Sequence, residues 1–129
     1  MKKVEKEIKK FLKDRGWDKL RPGDLAKSVS IESGELLEIF QWSNPELNEI
    51  KKNKEKIAEI KKELADVFIY CFDISTTLGF DTEKIILDKL KYIDKKYPAK
   101  LMKNMTKNKE PGNDSEYWRI KKEYRSKQN

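Results

Sequence analysis

The chain has 129 residues, enough for a single domain as the default, with 41% charged and 36% hydrophobic residues and a mean hydropathy of -0.93. Its longest apolar run, Val67-Phe68-Ile69-Tyr70-Cys71-Phe72, falls far short of the roughly 20 residues a membrane-spanning helix needs. The absence of histidine removes imidazole acid–base chemistry and HExxH zinc sites, and the single cysteine, Cys71, removes an internal disulfide framework. The Lys-rich start lacks the apolar stretch of a secretory signal, so a cytoplasmic protein is expected. Any chemistry must use carboxylates, lysines, hydroxyls or a bound metal.

Along the chain, Val4, Ile8, Phe11 and Leu12 form one apolar stripe on a charged helix over Lys2 to Lys13, ended by Gly16. Arg21-Pro22-Gly23-Asp24 reads as a turn, with Asp24 capping a second helix that runs to about Gln41. Asn44 and Pro45 suit the N-cap and first position of another helix. From Lys54 to Leu78, the residues Ile57, Ile60, Leu64, Val67, Cys71, Ile74 and Leu78 alternate spacings of three and four, as in the seam of a packed bundle. Gly79 suits a C-cap and Asp81 an N-cap for a helix to about Lys96, closed by Pro98. Thr106 to Ser115 has loop composition, and Glu116 to Lys127 has the apolar residues a short terminal helix could use.

This pattern predicts an all-α fold, a bundle of four to five helices. Residues 1–98 form the domain and 99–129 a basic C-terminal tail. Phe68, Ile69 and Phe72 lie off the seam of the long helix, and a helix apolar on several sides wants a second partner. A homodimer or homotetramer is therefore expected to complete the bundle. The tail carries nine basic and four acidic residues and supplies +5 of the +7 net charge. Such a tail attracts polyanions, which makes nucleic acid a secondary candidate partner; a solubilising role is the plainer alternative.

Two acidic pairs stand in the most apolar stretches. Glu32 and Glu35 are three apart on the second helix, and Glu63 and Asp66 are three apart on the long one, so each pair shares a helix face. Burying like charges costs several kcal/mol unless something positive compensates. Four hard oxygen ligands facing one cleft suit Mg²⁺, or Mn²⁺ in its place. In a chain this charged, acidic pairs also arise by chance on solvated faces. Tyr70 and Asp73 extend the Glu63–Asp66 stripe, and Trp42 lies seven residues after Glu35. An aromatic beside each acidic pair would serve a nucleobase, although for either one taken separately an ordinary core residue is the favoured reading.

Glu32-Ser33-Gly34-Glu35-Leu36-Leu37-Glu38-Ile39-Phe40-Gln41-Trp42 resembles the E-x-G-E-L-x-E-x-F-Q-W signature of the MazG-like all-α nucleoside triphosphate pyrophosphohydrolases. Glu63-Leu64-Ala65-Asp66-Val67 and Lys96-Tyr97-Pro98 resemble that family's E-L-A-D-V and K-Y-P. The resemblance covers roughly residues 17–98 and is closest to small single-domain members that include dCTP pyrophosphatases. It implies hydrolysis of a (deoxy)nucleoside triphosphate to the monophosphate and pyrophosphate, a house-cleaning activity on the nucleotide pool. It further implies Glu32, Glu35, Glu63 and Asp66 as metal-binding catalytic acids, with Trp42, Tyr70 and Trp17 at the base. Glu38 is then a general base or its support. Lys89, Lys95 and Lys96 become candidates for the phosphates on charge and position. Related sequences often carry Asn where this chain has Ile93, and a His of some dCTP-specific members has no counterpart here; both departures bear on base preference. Two other readings compete: a catalytically weak homologue that binds nucleic acid or protein through its tail, and a metal-stabilised structural bundle.

Overall fold

The computed structural model describes residues 1–106 and 115–127. Seven helices and no strand occur among the described residues: α1 (Lys2–Asp14), α2 (Pro22–Glu38), α3 (Leu47–Ile50), α4 (Lys54–Thr77), α5 (Thr82–Lys96), α6 (Ala99–Thr106) and α7 (Ser115–Ser126). The all-α fold expected from the periodicity is therefore present. The count exceeds four to five because α3 and α6 are short helices of four and eight residues. Most of the loop expected over residues 106–115 lies outside the described residues. The chain divides into two compact units, Met1–Thr82 and Glu83–Asn129.

In the first unit, α2 lies along α4 and α1 packs against α4. Both α1 and α4 end in Schellman motifs built on glycine. At the end of α1, Gly16 (φ +67°) donates to Lys13 O at 3.1 Å and Trp17 N donates to Leu12 O at 2.9 Å. This turn sets Trp17 edge-on to Phe11, ring centroids 6.0 Å apart. At the end of α4, Gly79 (φ +70°) donates to Thr76 O and Phe80 N to Ser75 O. The Ser75 and Thr82 hydroxyls, both buried, then bridge the turn at 2.7 Å.

Helix starts differ from expectation in instructive ways. Pro22, not Asp24, opens α2, because its fixed φ suits the first helical position. Asp24 instead sits in the first turn, its carboxylate held by Arg21 Nε at 2.7 Å and Lys27 Nζ at 3.3 Å. α2 ends at Glu38 rather than Gln41, and Phe40 and Gln41 close tighter i→i+3 bonds onto Leu37 and Glu38. α3 starts after Glu46 rather than Asn44, since Glu49 accepts from the Glu46 N–H at 3.0 Å in a capping box. Asn53 caps α4 by accepting from Lys56 N at 3.0 Å.

The seam expected on α4 is only partly inside. Ile57, Ile60, Val67 and Ile74 are half-buried, whereas Leu64, Cys71 and Leu78 are exposed. The deeply buried side chains of α4 are Glu63, Asp73 and Ser75, with Asp66 and Tyr70 half-buried between them. The helix is apolar on several sides, so the face turned to α1 and α2 is set by its acidic stripe, not by the heptad. The buried apolar residues of this unit are Leu12 and Leu25.

In the second unit Ile120 is buried, and aromatic pairs link α5 and the turn after it to α7. Tyr97 stacks on Tyr117 at 5.2 Å, and Tyr92 meets Tyr124 edge-on at 6.2 Å. Burial, with Tyr117 beside it, pushes the Tyr97 hydroxyl above its ordinary pKa.

Candidate metal centre and the adjoining cavity

The i, i+3 spacing on α4 puts Glu63 and Asp66 on the side that faces α2, and α2 brings Glu32 to meet them. One carboxylate oxygen from each of Glu32, Glu63 and Asp66 lies within 4.8 Å of the others. Glu63 is 9% exposed; its Oε1 accepts from Lys62 Nζ at 2.6 Å, while its buried Oε2 has no hydrogen-bond partner. An orphaned buried carboxylate oxygen is costly, and the neighbouring acids add repulsion. Burial first, then the charges of Glu35, Asp66 and Glu63, hold the Glu32 carboxyl above its ordinary pKa, with Lys62 opposing. Conversely, the hydrogen bond and charge of Glu63 hold the Lys62 ammonium above its usual value. Lys62 thus acts as counter-ion to the cluster, yet its side chain is 68% exposed. Such a cluster has hard oxygen donors, an unmet buried acceptor and excess negative charge, which is the donor set of a divalent cation site.

Glu35 and Glu38 do not join that group of three. They line a shallower hollow of 430 Å³ beside it, shared with Ile39, Glu59, Lys62 and Glu63. Both are exposed.

A larger cavity of 750 Å³ opens on the other side of Asp66. Its walls include Phe11, Trp17 and Leu20 from α1 and the turn after it, Leu25 and Ser28 from α2, and Ile69, Tyr70 and Asp73 from α4. Asp66 belongs to both the carboxylate group and this cavity, so the two features are contiguous. Asp73 is 3% exposed, its Oδ1 has no hydrogen-bond partner, and burial pushes its carboxyl up to about 6.

The structure thus brings together Glu32, Glu63 and Asp66, and sets Trp17 and Tyr70 in the adjoining wall. Trp42 is 88% exposed and lines neither hollow. Lys89 and Lys96 belong to the second unit, where Lys89 lies over Tyr92 at 4.8 Å and Lys96 over Tyr97 and Tyr124 at 5.2 and 5.0 Å. Sequence reasoning put Asp73 on the acidic stripe but gave it no role; a carboxylate on the inward face two turns after Asp66 was the available signal. Phe11 and Ser28 carried no signal beyond helix periodicity.

A helical unit with a carboxylate cluster from two facing helices defines a class, and sequence comparison gives it a name. The MazG-like family profile matches residues 27–112, and the chain belongs to that family. Among individual relatives, human dCTP pyrophosphatase 1 is 28% identical over 99 residues, covering 75% of this chain and 58% of the human protein. The rat protein of the same name is 29% identical over 93 residues, 70% of this chain and 55% of its own. The chain therefore spans little more than half the length of the curated relatives it matches. A pyrophosphatase from Archaeoglobus fulgidus, known from its crystal structure, superimposes with a TM-score of 0.67 at 33% identity, covering 76% of this chain and 92% of that one.

Proposed function

We propose that this chain is a Mg²⁺-dependent nucleoside triphosphate pyrophosphohydrolase that works on the cytoplasmic nucleotide pool, releasing the monophosphate and pyrophosphate. The observation that carries the reading is the sharing of Asp66 between the carboxylate group and the 750 Å³ cavity. A charge-binding centre and an aromatic-walled pocket that meet at one residue suit a ligand with a polyphosphate at one end and a planar base at the other. The names of the relatives, dCTP pyrophosphatase 1 and a pyrophosphatase, support the same class of reaction.

In this reading Glu32, Glu63 and Asp66 hold Mg²⁺, or Mn²⁺, with Glu35 beside them. The ion, when bound, supplies charge neutralisation and Lewis-acid polarisation to the triphosphate. Glu35 or Glu38, exposed at the edge of the cluster, orients the attacking water and takes its proton. The water oxygen bonds to one phosphorus of the α–β bridge as the bridging oxygen leaves. Trp17 and Tyr70 hold the base, and Trp42 is assigned to the base on its place in the signature. A homodimer or homotetramer also belongs to this reading: Ile31 and Leu37 of α2 and Leu64 and Phe68 of α4 are exposed apolar side chains, and apolar helix faces of this kind favour self-association.

The test is pyrophosphate release from a panel of nucleoside triphosphates with Mg²⁺, with Mn²⁺ and with chelator. Release that needs the metal and yields the monophosphate bears the reading out. No release by folded protein from any triphosphate overturns it and turns attention to polyanion binding by the basic tail at 99–129.

A further inference from the structure

The polar character of the 750 Å³ cavity is one-sided. The carboxylates of Glu7, Asp24, Asp66 and Asp73 line it, and no Lys, Arg, Asn or Gln does so among the described residues. Three of its polar groups are already engaged. Asp24 is held by Arg21 and Lys27, the Ser28 hydroxyl donates to Asp24 O at 3.2 Å, and Asp66 belongs to the carboxylate group. Asp73 is different: it is 97% buried by its 3% exposure, and its Oδ1 meets no donor. A buried carboxylate oxygen without a partner is unusual enough to require one, and the cavity it lines is where that partner can come from.

Position along α4 tells what the partner is. Asp73 follows Asp66 by seven residues, two turns, which is about 10 Å along the axis. That distance is comparable to the reach of a nucleoside from its 5′ phosphate to the far edge of its base. Tyr70 lies between the two acids in sequence and lines the same wall, with Trp17 and Phe11 also on the cavity. A base seated against these aromatics presents its hydrogen-bonding edge to Asp73.

We infer that Asp73 reads the exocyclic amino group of the nucleobase, so that the site takes amino-bearing bases and discriminates against uracil and thymine. The inference rests on the pyrophosphohydrolase reading for the ligand being a nucleotide. Cytosine, adenine and guanine each offer an exocyclic amino N–H, which the unpartnered Oδ1 can accept. Uracil and thymine put a carbonyl on each side of their single N–H, and a carbonyl facing Oδ1 sets two acceptors against each other.

The experiment compares kcat/KM for dCTP against dUTP, and for dATP against dITP, in wild type, Asp73→Asn and Asp73→Ala. Each pair differs chiefly by amino against carbonyl on one ring system. Wild type is expected to prefer the amino member by on the order of 30-fold. Asp73→Asn, whose amide offers an N–H to a carbonyl, should cut that preference at least roughly tenfold. Asp73→Ala should lower dCTP turnover while sparing dUTP. Thermal unfolding checks that both variants are folded. Equal kcat/KM for dCTP and dUTP in wild type, or a preference unchanged in both variants, overturns the inference. If no triphosphate is hydrolysed at all, the pyrophosphohydrolase reading fails instead, and Asp73 is judged by calorimetric titration of dCMP and dUMP. Tighter dCMP binding that is lost in Asp73→Asn upholds the role of Asp73; equal or absent binding of both ends it.

Discussion

Asp73 and Glu63 each carry a buried carboxylate oxygen that finds no donor, but their circumstances predict different behaviour. Burial alone raises the Asp73 pKa, from 3.8 to about 6, so the folded state holds its proton more tightly than the unfolded chain does. The folded form is then favoured most below pH 3.8, and this contribution disappears as pH rises toward 6. At neutral pH the ionised group costs at most about 3 kcal/mol relative to a neutral one. Asp73→Asn keeps the shape without the charge. It should unfold at higher urea than wild type at pH 7.5, with the gap closing toward pH 4.5. A gap that does not change with pH would show that Asp73 titrates normally. Glu63 belongs to a cluster with Glu32 and Asp66, whose summed negative charge a cation would neutralise. Mg²⁺ at 100 times its dissociation constant should stabilise the chain by about 2.7 kcal/mol. Asp66→Asn or Glu63→Gln should lose that rise in melting temperature and at least 100-fold in turnover, while the metal-free protein melts no lower than wild type because a repelling charge is gone. A variant that retains both the Mg²⁺ effect and turnover would remove its residue from the metal site.

Two glycines show how one substitution acts in opposite directions on two helices. Gly16 ends α1 at φ +67°, whereas Gly34 lies inside α2 with open space where a Cβ would go. Gly16→Ala must adopt the left-handed conformation and should destabilise by roughly 1 kcal/mol. It should also raise KM, because the same turn places Trp17 in the cavity wall. Gly34→Ala should stabilise by up to about 1 kcal/mol through helix propensity; urea midpoints of the two variants check both signs. The turn at Gly16 and the cap at Gly79 were legible because a lone glycine after a helical stripe has few other uses. The pairing of Glu32 with Glu63 and Asp66 was legible from the spacing of the two acidic pairs and from the signature around them. The inward face of α4 was not. Leu64, Cys71 and Leu78 satisfy the heptad as well as Val67 and Ile74 do, and periodicity gives no reason to turn Glu63 and Asp73 inward instead. The exposure of Trp42 was hidden for a related reason: seven residues after Glu35 is a helix-face argument, and α2 stops at Glu38, so the wheel no longer applies.

At the scale of the molecule, α2 and α4 both leave large apolar side chains uncovered. Phe68 is 54% exposed and Leu64 37% exposed on α4, and on α2 Ile31 is 60% and Leu37 69% exposed. Each exposed apolar side chain forfeits on the order of 1 kcal/mol or more that burial would provide, and two helices doing so together favours a contact between copies. In the proposed homo-oligomer, where one patch would meet its own copy across a two-fold axis, a single charge introduced there would enter the interface twice. Phe68→Asp should therefore shift the sedimentation of micromolar protein from dimer or tetramer to monomer, with the helical circular dichroism spectrum retained. Phe68 precedes Tyr70 by two residues and is absent from the walls of both hollows, so residual turnover by the monomer reports whether one copy suffices for the site. A monomer that keeps its turnover makes the association a matter of stability alone, and a monomer that loses it makes the second copy part of the active site. Wild-type protein that already sediments as a monomer at these concentrations would set the oligomer aside.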